Sequence, residues 1–537
     1  MRIPARSNIL VILPLSFVFL SPIATATYPV TAGTGGTGID PSLIGKSCTS
    51  FAAGKLATVD GSVMAGHTLD GPFDFTLSIV PGGRHESDEM VRIDYTGIPG
   101  GYQHKVQGET NIPQVSETFK YFHSDCPLAN EYQVFFGENT CGTKKELRTL
   151  SPEDALLDWT QVARLALQRG RTAREAIKAA GTLIEEHGLS GVGESFLVSD
   201  PNEAWCFEIP GFTNEWVAQR IPDDHVCPHA NRMRIGEIDL SNPDFFMASS
   251  NLIKLAQEKG LYDPAKDGPF NFAEVYNSKY GHISIDNRRR EWRMMSLLCP
   301  SKDWDADAIS YPFSVKPDKK ISVKWWIDKV WRDHLEGTVY DKTKEIAAGP
   351  FGCPDRPNVK GTRSERSICI GEMAYSWVSQ SRSWLPNGIG GVFWLGLDCP
   401  RSTCYVPFYV GISEIPKSWQ SGDYTTFSEE SAWWYFQTID SFSWLRYNEI
   451  HADVRKTFGA IEQEQFSAQS DIEKKAVELY ESHPHAAHEY LTKCSNDHAQ
   501  RAEKTARDLF YSLIVKYRDG MPRTTVSEEW IKRLNRR

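Results

Sequence analysis

Beyond its amino-terminal segment the sequence has no run of about eighteen consecutive apolar residues, so it offers no helix able to span a bilayer. It also lacks blocks of like charge. The formal net charge of -10 is spread along the 537 residues, which excludes the basic footprint of a nucleic-acid binder. No Gly-x-Ser-x-Gly elbow occurs, which argues against a serine hydrolase of that type. Gly45-Lys46-Ser47 looks like the end of a phosphate-binding loop, but position 40 is Asp where that loop needs Gly. His485, His488 and Glu489 match neither helical zinc-protease spacing, and with His483 they read as a solvated helix face. His225, Cys227 and His229 alternate in a Pro-containing stretch where Cys227 reads as a half-cystine, so no metal site is expected. There is no Asn-x-Ser/Thr acceptor; Asn139-Thr140-Cys141 is at best a rare variant.

What is present begins with a secretory signal pattern. Arg2 and Arg6 give a positive start, Ile9 to Phe19 an apolar core, and Ala24-Thr25-Ala26 a small-residue cleavage site. Residues 1–26 are therefore expected to be a signal peptide, with no membrane attachment after its removal. Residues 27–47 are rich in Gly, Thr and Ser, have no face to bury, and read as a propeptide. The expected location is the secretory pathway, ending outside the cell or in a lysosome- or vacuole-like compartment.

Cys48 comes next. A thiol attacks only as thiolate, and an ordinary cysteine is mostly protonated at neutral pH. If Cys48 became the amino terminus, its own α-amino group, with a pKa near ~8, would serve as the base. The count of 11 cysteines fits, because setting Cys48 aside leaves an even number for disulfides, with Cys126–Cys141 and Cys399–Cys404 the easy loop closures. Sixteen tryptophans suggest aromatic-lined surfaces or clefts.

Asp60-Gly61 between two runs of small and apolar residues predicts a hairpin that opens on the edge of a sheet and returns His67 and Asp70 beside Cys48. Residues 151–187 read as helical from a capping-box-like Ser151 and Asp154. Strands are expected over 194–200, 203–209, 215–220, 374–380, 391–397 and 403–410, and helix over most of 431–516. Strand blocks mixed with helices indicate an α+β fold. The expected organisation is a domain over 48–424 and a helical region over 425–537 packed on it.

Cys48-Thr49-Ser50, Asp60-Gly61-Ser62 and His67-Thr68-Leu69-Asp70-Gly71 resemble the opening of the cysteine dipeptidases of the dipeptidase A family, relatives of the secernins within the N-terminal-nucleophile hydrolases. Further similar stretches, among them Asp200 to Trp205, Ser249 to Leu252, Arg332 to Thr338, Val378 to Arg382 and Tyr405-Val406-Pro407, run through nearly the whole remaining chain. The resemblance implies a four-layer αββα sandwich, self-processing, and hydrolysis of dipeptides or short peptides without metal or other cofactor. It makes Cys48 the nucleophile and Asp70 its carboxylate partner, and Asn231 the oxyanion donor. His67, Asn139, Arg290 and Arg293 become candidates for binding substrate. Where the superfamily has Arg three places before the Asp, this chain has His67, a source of switchable charge. A non-peptide amide substrate and a secernin-like trafficking role are the alternatives, and a homo-oligomer stays open.

Overall fold

In the computed structural model the described residues are 48–71, 73, 75, 77–93, 110–356, 365–524, 526 and 528–535, so the signal-peptide and propeptide readings lie outside them. The described residues fall within one compact unit, Ser42–Arg537. Its frame is two antiparallel sheets. The six-stranded sheet runs, in spatial order, Val226–His229, Thr49–Ala53, Met64–Asp70, Met373–Gln380, Val392–Leu397 and Val406–Tyr409. The eight-stranded sheet runs Phe246–Ala248, Val217–Ile221, Ala204–Pro210, Gly193–Ser199, Phe135–Thr140, Ala129–Asn130, Tyr121–His123 and Ser78–Val80.

Successive strand residues point to opposite faces, and here both faces are buried. In the first strand Phe51 and Ala53 join a core with Met294, Trp326 and Trp331, whereas Ala52 faces a second core with Trp377 and Leu197. In the eight-stranded sheet Phe196, Val198 and Phe207 pack on Val162 and Ile177 of two helices, Trp159–Arg169 and Ala173–His187. Each such large apolar side chain removed from water contributes about 1.5–3 kcal/mol. Trp205, Trp326, Trp331, Trp377, Trp394 and Trp419 are fully buried and Trp159, Trp216 and Trp433 nearly so, so most of the tryptophan signal belongs to the core.

The sheets approach closely at the site. A Cβ on Gly137 would lie 3.2 Å from the His67 Cβ, tighter than ordinary contact, so glycine here eases the close approach of the eight-stranded sheet to Met64–Asp70.

Three expectations need correction. The hairpin forms, with Ser50 opposite His67, but the first strand is not an edge, because Ser50 also lies opposite His229 on its other side. Residues 54–63 make the connection, with Gly61 at φ +85° and Asp60 Oδ1 accepting from Ser62 N at 3.1 Å. The predicted helix over 151–187 starts at Trp159, capped by Asp158 accepting from Gln161 N at 2.8 Å, and breaks at Gly170 before a second start capped by Thr172. Ser151 and Asp154 close only a local turn. No two cysteines are joined in this structure, so neither Cys126–Cys141 nor Cys399–Cys404 is bonded, and Cys227 is a buried thiol. Each of these thiols except Cys494 is buried, where a cysteine packs as a small hydrophobe.

The carboxyl-terminal helices are Ala432–Ser443, Tyr447–Ser482 and Pro484–Tyr517. They are joined to the six-stranded sheet by Phe466 stacked 3.8 Å from Trp394, and by Glu462, which accepts from Tyr405 N at 3.1 Å and from Arg332 at 2.6 Å. The fold is α+β. No helix among the described residues is long and apolar enough to cross a membrane.

Candidate active site

Cys48 stands at the head of the first strand, 1% exposed between the two sheets. Its carbonyl oxygen accepts from Asn139 Nδ2 at 2.7 Å and from Arg290 Nη1 at 2.6 Å. Asn139 comes from strand Phe135–Thr140, and its Oδ1 accepts from Ser50 Oγ. Arg290 comes from helix Ile285–Leu298 and is fully buried. Its guanidinium also donates to Thr49 Oγ1 at 2.9 Å, Asn231 Oδ1 at 2.7 Å and Asn287 Oδ1 at 3.0 Å. Two segments far from Cys48 in sequence thus converge on its main-chain oxygen. Because its Oδ1 is held by Arg290, Asn231 presents a buried Nδ2 with no hydrogen-bond partner. A desolvated amide donor with nothing to bond costs about 1–3 kcal/mol, and an arriving oxyanion would repay it.

Around the sulfur the charges are mostly negative. Cys48 Sγ, a His67 ring nitrogen and a Glu138 carboxylate oxygen all lie within 4.8 Å of one another. Burial, followed by Glu138 and Asp70, pushes the Cys48 thiol well above its ordinary range. His67 is fully buried, neither ring nitrogen makes a hydrogen bond, and Nε2 lies 3.9 Å from Glu138 Oε2. Burial brings its pKa down to about 3, so the imidazole is neutral at physiological pH. This overturns His67 as a switchable positive charge: desolvation outweighs the main chain of Glu138, which pulls the other way. So weak a base is poorly matched to so weakly acidic a thiol.

The positive charge comes from elsewhere. Asp70 is 1% exposed, and its Oδ2 accepts from Arg366 Nη2 at 2.5 Å. Burial raises the Asp70 pKa to about 6, with Arg366 and Arg290 pulling in the opposite direction. Burial lowers Arg290 to about 10, which still leaves it charged at neutral pH. Glu138 and Arg366 were not singled out from the sequence. Glu138 adjoins Asn139, a neighbourhood that gave a hint, but nothing local marks Arg366 as the partner of a residue 296 positions away.

The structure brings Cys48, His67, Asp70, Asn139, Asn231 and Arg290 into one site, but not Arg293. That side chain, nearly one helical turn along from Arg290, bonds Asp333 Oδ1 at 2.7 Å and the Glu336 carbonyl at 2.9 Å. The alternating set also separates: His225 pairs with Ser314 Oγ at 2.9 Å, while His229 Nε2 meets Ser195 Oγ at 2.9 Å and Glu208 Oε1 at 3.2 Å. Cys206, Glu208 and His229 are of metal-ligating types and lie close together. Glu208 is engaged by the main-chain N–H groups of Arg234 and Ile235 at 2.6 and 3.1 Å, so the cluster fixes the segment just after Asn231.

The sequence profile described as peptidase family C69 matches residues 47–459. Among curated relatives, a probable dipeptidase of Latilactobacillus sakei is 25% identical over 389 residues, covering 70% of this chain and 76% of that protein. A probable dipeptidase B of Streptococcus pyogenes serotype M6 is 25% identical over 479 residues, covering 86% and 91%. Dipeptidase A of Lactobacillus helveticus is 26% identical over 390 residues, covering 70% and 77%.

Proposed function

The chain belongs to peptidase family C69, and from that premise we propose that it is a cysteine-type dipeptidase whose nucleophile is Cys48, made amino-terminal by autocatalytic cleavage after Ser47. The observation that carries this reading is the setting of Cys48: buried at the head of a strand, with Asp70 and an unpartnered Asn231 amide in the same site. Dipeptidase names among relatives aligned over most of their length support the substrate class.

In the mechanism, cleavage frees the α-amino group of Cys48, which takes the thiol proton. Asp70, held by Arg366, orients that amine. The thiolate attacks the scissile carbonyl of the dipeptide, and Asn231 Nδ2 donates to the oxygen that becomes negative. The leaving amine departs with the proton carried by the α-amine. Water then attacks the thioester, the α-amine again taking a proton, and the thiol is regenerated. Asn139 and Arg290 hold the Cys48 carbonyl and so keep the sulfur in line with these donors. Helices against the outer face of each sheet support a four-layer αββα order. The pattern of residues 1–26 supports entry to the secretory route.

Intact mass and amino-terminal sequencing of the purified protein, together with a panel of dipeptides and acylated amino acids, test this reading. A mature chain starting at Cys48 that cleaves dipeptides is expected. An active chain that begins well ahead of Cys48 would rule out the mechanism, and cleavage of acylated amino acids alone would move the substrate class.

A further inference from the structure

A second cluster of reactive groups lies behind the site. Cys369 and Cys399 are both 0% exposed, and their sulfurs are 3.5 Å apart. Cys399 Sγ donates to the Ile370 carbonyl at 3.0 Å, and the main chain at Cys369 is pinned by its N–H to the Asp333 carbonyl at 3.0 Å and by Ser367 Oγ to its own carbonyl at 2.6 Å. Fully buried His334 and Arg401 lie beside the pair. Arg401 Nη1 is 3.4 Å from His334 Nε2, and the guanidinium is anchored on Asp355 and Asp440. Burial opposes ionisation of Cys369, but the Cys399 thiol, His334 and Arg401 together hold it below the ordinary thiol range. The nine other cysteines have no such setting: none makes a sulfur–sulfur contact among the described hydrogen bonds.

The same turn carries Arg366, three residues before Cys369. Its guanidinium bonds Asp70 and the Ile368 carbonyl. Cys399 lies just past the end of strand Val392–Leu397, two strands from Asp70 in the six-stranded sheet.

We propose that Cys369 and Cys399 are a dithiol that closes to a disulfide, fastening the Arg366-bearing turn to the sheet that carries Asp70. The oxidant is another disulfide, met during folding or local opening because both sulfurs are sealed in the closed protein. The Cys369 thiolate attacks one sulfur of that disulfide and expels a thiolate. Cys399 gives its proton to the expelled thiolate and attacks the Cys369 sulfur, releasing the second thiolate, which takes a proton from water. Two thiols of the protein are oxidised, and one disulfide is reduced to two thiols.

The test is cysteine mapping of the full chain folded with oxidised glutathione, with free thiols alkylated under denaturing conditions before digestion. The expected result is one cross-linked species joining the peptides of Cys369 and Cys399, two hydrogens lighter than the thiol pair and released by dithiothreitol. Recovery of both residues alkylated overturns the proposal, as does cross-linking of either to a different cysteine. A second measurement uses stability. The oxidised protein should melt about 2–5 °C above its dithiothreitol-treated form, and Cys399→Ser or Cys399→Ala should abolish that difference. Amide exchange over residues 366–372 should slow on oxidation. An equal difference in melting in the variants would assign the effect to other thiols and overturn the proposal.

Discussion

Cys48 and Cys369 are both closed off from solvent, yet their neighbours have opposite charge. Glu138 and Asp70 flank Cys48 and add to the effect of burial, whereas the Cys399 thiol together with His334 and Arg401 overrides it at Cys369. Burial alone makes a thiol inert; the adjacent charge decides whether it becomes a thiolate. The sulfur best placed for hydrolysis therefore sits in the less favourable field as long as its residue is within a longer chain. That arrangement fits the proposed nucleophile, whose base would be its own freed amino group.

The contrast breaks most sharply with the nucleophile itself. Cys48→Ala should lower kcat/KM for dipeptides by a factor on the order of 10⁴ or more, whereas Cys369→Ala should leave it within about threefold. Steady-state kinetics on both variants check this, and equal losses would erase the distinction. Arg290→Ala comes next, because it leaves the Cys48 carbonyl, Thr49 and Asn231 without their shared donor. A loss of about 10²–10³ in kcat/KM is expected, with destabilisation of about 3–5 kcal/mol read by urea unfolding.

Arg366→Ala tests the origin of the positive charge near Cys48. Arg366 lowers the Asp70 pKa, so its removal should raise that pKa and move the acid limb of the pH–rate profile to higher pH. Activity should fall roughly tenfold near pH 6 and recover toward pH 8; an unmoved limb would exclude Asp70 as the titrating group. The smallest effect is expected from Glu138→Gln. Its charge raises the Cys48 pKa, so losing it should speed alkylation of Cys48 by iodoacetamide a few-fold in uncut chain, without changing the alkylation of Cys369.

Much of the frame was legible because it rests on local pattern. The strands at 193–210 and 373–397 follow from short apolar runs punctuated by turn residues, and the long final helices from their 3.6-residue spacing. The helix over 151–187 was misread at its start because a Ser–Asp side-chain bond serves a free turn as well as a cap; Asp158, directly before the apolar helix, is the residue that caps it. The opening strand reads as an edge because nothing in its own residues announces Val226–His229 as a second neighbour. The cysteine count misled for a related reason: parity and closeness in sequence say nothing of which sulfurs meet, and the nearest two are Cys369 and Cys399.

By itself the sequence determined which side chains were available: a cysteine after a linker-like stretch, a hairpin to return Asp70, and Asn and Arg residues downstream to surround them. Only the tertiary structure decided their charge states and partners. It made His67 neutral, turned Arg293 toward Asp333, and brought Arg366 to Asp70 across 296 positions. The reason is physical. Strand and helix patterns are written in residues a few places apart, whereas the ionisation of a buried group depends on the water it loses and on charges the fold carries in from far along the chain.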